Sequence, residues 1–198
     1  MNKFIGASAA AALFFSAATP ALAGWKLIDN GEPVKVAKSA MVVTPGEDWN
    51  RWSVRPVKKS EIWTLDGINL NEMYFVSGLK KGETLYKDAN KKAQPLPKFD
   101  GSMDLTEVPE FMESSIRLAL NTSAFTTTNV APTTLGGHQA VRFEYEYSID
   151  GSPLLRKGMA VGSIVNGELH MISYTAPATY FYDRDLAKAE RIMASVRF

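Results

Sequence analysis

Three side chains in this sequence are of types that could do chemistry together: His138, Ser163 and His170. Two imidazoles are a start toward a zinc site, and a serine beside a histidine is a start toward acyl transfer. If Asp150-Gly151 and Asn166-Gly167 each turn the chain in a two-residue loop, the three residues fall in one row across three neighbouring strands. Spacing argues against both chemistries. Residues two strands apart have backbones about 9–10 Å distant, and a zinc ion with bonds of about 2 Å would still need a third ligand, for which serine is poor. Ser163 lies within Val161-Gly162-Ser163-Ile164-Val165, without the G-x-S-x-G elbow that exposes a nucleophile. The ordinary use of such residues is structural: half-buried imidazoles bonded to polar neighbours. A hydrolase or metal enzyme around His138, Ser163 and His170 is therefore the third of three functional readings. Glu144 and Glu146 share one strand face and do not span a cleft, as a glycosidase pair would. Gly78 and Gly82 lack the spacing and strand–helix context of a phosphate-binding loop. Nothing in the pattern calls for a cofactor or a metal.

These residues must be positioned by strands. Val141, Phe143, Tyr145 and Tyr147 alternate with Arg142, Glu144 and Glu146, the period of two that marks a strand with unlike faces. Three antiparallel strands follow in series, at about 138–149, 154–165 and 168–175. The tight-loop register sets Phe143 opposite Gly158 and Glu144 opposite Lys157. One face then carries Phe143, Tyr145 and Tyr147 beside Gly158, Ala160 and Gly162. Glycine in a strand interior signals a close approach. Either a helix packs over the small residues, or the aromatics wall a shallow groove for a small apolar ligand.

Upstream, residues 24–38 read as an exposed lead-in, and "SAMVVTPGEDW" as a short strand stopped by Pro45-Gly46. "EIWTL" and "INLNEMYFVSGL" flank Asp66-Gly67 and suggest a hairpin with a type I′ turn. Residues 80–103 are polar, lysine-rich and broken by Pro95 and Pro97, a long irregular segment. "TEVPEFMESSIRLALN" is a helix with Thr106 as cap and Pro109 in its first turn; Val108, Phe111, Met112, Ile116, Ala119 and Leu120 form its apolar face. "SAFTTTNVAPTTL" is a strand, and Gly136-Gly137 turns it into the next. The last helix, "DRDLAKAERIMASV", has Asp183 and Asp185 at its start and buries Tyr182, Leu186, Ala189, Met193 and Val196.

The first residues carry an address. Lys3, an apolar stretch from Ile5 to Ala18 and Ala21-Leu22-Ala23 form a secretory signal with cleavage expected after Ala23. The expected organisation is a signal peptide over 1–23 and one domain over 24–198, secreted and most simply periplasmic. No cysteine is present, which excludes thiol chemistry and cysteine-bound zinc. Residues 24–98 hold 13 Lys/Arg and 9 Asp/Glu, net +4; residues 99–198 hold 8 and 12, net −4. The zero balance argues against nucleic acid as a partner. The basic excess lies in 51–59 and in Lys80, Lys81, Lys87, Lys91, Lys92 and Lys98. It is either solvated loop or a weak site for anionic surface such as lipid headgroups. No apolar stretch after residue 23 is long enough to span a membrane.

"LGGHQAVRFEYEY", a second strand, "NGELHMISYTAPATYF" and a final helix ending "IMASVRF" occur in an order similar to the PsbP-like family, which includes DcrB-type and Mog-type members. The resemblance covers residues 105–198. It implies an α+β fold, an antiparallel β-sheet flanked by helices in an α/β/α sandwich, and an accessory rather than enzymatic role; it transfers no catalytic residue. The reading from sequence is thus a non-catalytic secreted domain that binds or supports an envelope component. Its contact residues are expected at Trp49, Trp52, Lys80, Lys81, Lys91 and Lys92, with a core role for Trp49 and Trp52 an equal alternative. A carrier of a small apolar ligand along Phe143 and Tyr145 is the second reading.

Overall fold

The computed structural model describes residues 24–198, so the expected signal segment lies outside the described residues. Ten strands and two helices follow in chain order. They are β1 (Trp25–Ile28), β2 (Val34–Lys35), β3 (Val42–Val43), β4 (Trp49–Trp52), β5 (Ser60–Thr64), β6 (Glu72–Leu79), α1 (Val108–Leu120), β7 (Ala124–Leu135), β8 (His138–Ser148), β9 (Leu155–Val165), β10 (Glu168–Pro177) and α2 (Phe181–Ala194). Eight strands form one sheet in the order β1-β4-β5-β6-β10-β9-β8-β7, with β2 and β3 paired separately. Every described pairing is antiparallel. The chain builds half the sheet up to β6, crosses one face through the 80–103 segment and α1, and restarts at the far edge with β7. It then returns strand by strand until β10 meets β6. Among the described residues no helix is long and apolar enough to cross a membrane.

Two cores result, one on each face. Phe99, Phe111, Met112, Phe143, Tyr145 and Met171 belong to the core beneath α1 and the 80–103 segment. Trp49, Trp63, Phe75, Tyr174, Ile192 and Val36 belong to the core beneath α2 and the β2–β3 ribbon. Both faces of the central strands are covered, which is why β10 is buried along nearly its whole length. The layering is the α/β/α arrangement expected of the sequence.

Several local expectations change. Residues 24–38 are not merely a lead-in: β1 pairs with β4 from Trp25↔Trp52 to Ile28↔Trp49, and Val36 and Ala37 are fully buried. Helix α1 is preceded by a 3-10 turn over Leu105–Glu107, and the Glu107 carboxylate accepts the Asp104 N–H at 2.7 Å. The start of the helical segment is therefore fixed at Asp104 and not by Thr106. Ala119 and Leu120 are exposed, because the last turn runs past the sheet face that Val108, Phe111, Met112 and Ile116 cover.

The β5–β6 connection runs from residue 65 to 71 and is no two-residue turn. Asn71, fully buried, organises it. Its Oδ1 accepts from the Thr64 hydroxyl (2.7 Å), the Leu65 N–H (2.8 Å) and the Asp66 N–H (3.0 Å). Its Nδ2 donates to Asp66 (2.8 Å) and to Asp185 of α2 (3.1 Å). Two backbone donors at one atom settle which end of the amide is oxygen. Asp185, read from the sequence only as a residue of the helix start, is fully buried and also accepts from Lys188 at 2.8 Å and from Arg184.

The β8–β9 register differs by two residues from the tight-loop expectation. Val141 faces Gly162, Phe143 faces Ala160 and Tyr145 faces Gly158. Asp150-Gly151 forms a turn closed by the Ser152 N–H on the Ile149 carbonyl at 2.9 Å, but within a longer loop, which the Asp150 carboxylate ties to the start of β7 by accepting from the Ser123 N–H and hydroxyl. A two-residue shift keeps every side chain on its own face but changes its partner. Lys157 therefore pairs with Glu146, at 3.1 Å, and not with Glu144.

The glycines on this face are closely covered. A Cβ on Gly158 would lie 2.1 Å from Cζ of Tyr145, and one on Gly162 would lie 2.8 Å from Cγ1 of Val108 in α1. Gly158→Ala is expected to lower the free energy of unfolding by about 2 kcal/mol, since the Tyr145 ring has no free space to move into. Urea denaturation of the purified variant measures it.

Candidate functional site

The residues raised for catalysis are brought near one another and then occupied. Ser163 faces His170 across the β9–β10 pair, as expected, but its buried hydroxyl donates to the Gln139 carbonyl at 2.7 Å. His170 Nδ1 lies 2.9 Å from the Ser77 hydroxyl. Phe198 packs edge-on against His170 at 4.7 Å between ring centres and against the exposed His138 at 5.5 Å. One aromatic ring thus touches both imidazoles. Burial, with smaller effects from His138 and Lys59, holds the His170 imidazole below its ordinary pKa against the pull of Glu168. No group of three His, Asp or Glu suited to a metal occurs among the described residues.

The expected contact residues separate into two sets. Trp49 is fully buried in the core beneath α2, so of the two roles open to it from the sequence it takes the core one and is not a surface residue. Phe143 and Tyr145 are likewise 0% and 1% exposed. The expected groove along them is filled by α1 and by the Tyr145 ring over Gly158. Trp52 is partly exposed and stacks on Trp25 at 6.4 Å. Lys80 and Lys81 reach Glu168 (3.4 Å) and Asp100 (3.3 Å) as exposed ion pairs. Lys91 and Lys92 are exposed.

What the sequence could not show is that the two basic segments meet. Lys58 and Lys59, from the β4–β5 connection, and Lys91 and Lys98, from the long segment after β6, line one pocket of about 380 Å³. Its wall is built by short contacts: the Gly82 N–H donates to Phe99 at 2.8 Å, and the Phe99 N–H to Glu83 at 2.8 Å, closing the segment on itself. Phe99 and Leu85, 1% and 0% exposed, pin it to the sheet. Glu83 and Asp88 also line the pocket, leaving four ammonium groups against two carboxylates. A concave surface with an excess of one charge concentrates counter-ions of the other.

A second cavity, of about 220 Å³, opens on the same side of the sheet at the end of α1. Glu72 and Thr175 on β6 and β10 form part of its floor, Tyr147 and Arg156 one wall, and Tyr86, Ile116 and Leu120 the opposite side. Glu72 is not among the residues expected from the sequence. The signal available was the acidic residue opening "EMYFVSGL", otherwise apolar for most of its length.

No family model matches the chain, and no curated protein matches it. Among solved structures, the cyanobacterial PsbP (CyanoP) of Synechocystis is similar at 14% identity, over 88% of this chain and 82% of that one, with a TM-score of 0.42. LpqN of Mycobacterium tuberculosis, described as involved in cell envelope biogenesis, is similar at 13% identity, over 87% of this chain and 90% of that one, with a TM-score of 0.36. The first of these carries the name of the family that the sequence motifs resemble.

Proposed function

We propose that the protein is a non-catalytic, exported binding domain that engages an anionic component of the cell envelope through the lysine-lined pocket. One observation carries this reading: two basic segments, separated by the whole of β5 and β6, each contribute two lysines to the same 380 Å³ concavity. Lysine is a point charge on a flexible stem, suited to phosphate or carboxylate groups without a demand for one geometry. The N-terminal sequence supports export. The hydroxyl of Ser163 and the ring of His170, each committed to a structural partner, favour binding over hydrolysis.

The test is titration with inorganic pyrophosphate and, separately, with vesicles containing phosphatidylglycerol. Binding to at least one is expected. It should weaken by about tenfold on raising salt from low to near-physiological strength, as exposed charges are screened. It should be lost in the combined Lys58→Ala, Lys91→Ala, Lys98→Ala variant. The two probes separate a free anion from a membrane surface. Failure of both, or binding unchanged in the triple variant, contradicts the proposal.

A further inference from the structure

The 220 Å³ cavity beside Glu72 is distinct from the lysine pocket, and nothing in the proposed anion-binding role uses it. Its lining is mostly apolar and aromatic, with few polar groups, the composition of a small-molecule site. Tyr74 and Tyr86 stack at 5.2 Å, and Tyr147 stacks on Tyr145 at 6.3 Å. The Tyr74 hydroxyl donates to the Leu85 carbonyl and the Tyr145 hydroxyl meets Thr175 at 2.6 Å, so both rings are fixed.

Glu72 is the exception among these groups. Its carboxyl has no hydrogen-bond donor and no ion pair among the described residues. The charged neighbour acting on it is Arg156, whose guanidinium donates to the Asn69 carbonyl at 2.6 Å. The other titratable groups facing it are phenols: Tyr74 on its own strand, Tyr145 and Tyr147 on β8, and Tyr86 from the long segment. Helix α1 contributes only Ile116 and Leu120. A carboxylate in such surroundings is neutralised by a proton or by a cation.

We propose that this cavity binds a small organic amine, its ammonium group against the Glu72 carboxylate and its apolar body against Ile116, Leu120 and the tyrosine rings. Aromatic faces add attraction for a cation where water is excluded. The cavity admits a molecule of about ten non-hydrogen atoms and not a lipid chain or a folded partner. A ligated ammonium replaces the proton that Glu72 otherwise holds, so binding near neutral pH releases a proton to solvent.

Phenethylamine and its uncharged isostere 2-phenylethanol are the probes, titrated calorimetrically into the protein at pH 8 and pH 5.5. The amine should bind about tenfold or more tightly than the alcohol at pH 8. That preference should shrink at pH 5.5, and Glu72→Gln should abolish it while leaving the alcohol's affinity unchanged. Titrations at pH 7 in two buffers of different ionisation enthalpy should show net proton release. Equal affinity for the two probes, binding of neither, or a preference retained in Glu72→Gln would overturn the assignment. Pyrophosphate binding in Glu72→Gln should be unaffected, which keeps the two sites separable.

Discussion

Replacing Glu72 by glutamine is expected to raise the free energy of unfolding by on the order of 2–3 kcal/mol at pH 8 and to change it little at pH 4. Burial in the cavity pushes the Glu72 carboxyl up to about 7 from 4.5, and Arg156 only partly offsets this. In the unfolded chain the group loses its proton near its ordinary value. Between those two values the folded state binds more protons than the unfolded state. This group's contribution to wild-type stability is therefore fully present below about pH 4.5, is lost as pH rises toward 7, and is flat above. Glutamine is neutral throughout and escapes that loss. The cavity's own access to solvent keeps the figure below the full value of the shift. Denaturation midpoints at pH 4, 6 and 8 check it: the two proteins should diverge steadily across that range. Parallel curves would show that Glu72 is solvated in the folded state.

Asn71→Ala should have an effect of similar size and opposite sign, lowering stability by about 3 kcal/mol at all pH values where Asp185 is ionised. Alanine leaves the buried Thr64 hydroxyl and the Leu65 and Asp66 N–H groups without their acceptor. It also removes a donor from the buried Asp185 carboxylate. The two N–H groups lie in a partly exposed loop and recover some of the loss from water; Thr64 and Asp185 do not. The same change should loosen the β5–β6 loop from α2, so hydrogen exchange at residues 65–70 should accelerate more than the global loss accounts for. Asn71→Asp is the control, since it keeps the acceptor but sets a second carboxylate near Asp66 and Asp185. An Asn71→Ala protein as stable as wild type would mean that the loop holds itself together by other means.

The β7 to β10 strands were readable because their alternation has period two and their boundaries are Gly-Gly, Asp-Gly and Asn-Gly pairs. Both helices were readable from their apolar stripes. The β8–β9 register was not, because the Asp150-Gly151 turn sits within a longer loop that Asp150 holds by accepting from Ser123. That contact joins residues 27 positions apart and has no local signature. Trp49 stood between interface and core for a related reason. A tryptophan beside charged residues resembles interface material as readily as core, and only its packing in the core beneath α2 decides between them. The lysine pocket was half legible: both basic segments stood out in the charge distribution, but their meeting depends on β5 and β6 folding back on each other. Glu72 was hidden altogether, since nothing local to one carboxylate at the start of an apolar strand shows that Tyr86, Ile116 and Leu120 will line a cavity with it.

The most direct measurement is a nitrogen-15 NMR titration of the protein with pyrophosphate. Amide shifts at Lys58 and Lys59 are expected to move together with those at Gly82, Thr84 and Lys98, along a single saturating curve, while the turn at Gly136-Gly137 stays still. Shifts confined to one of the two basic segments, or scattered over the surface without saturation, would contradict a shared anion site.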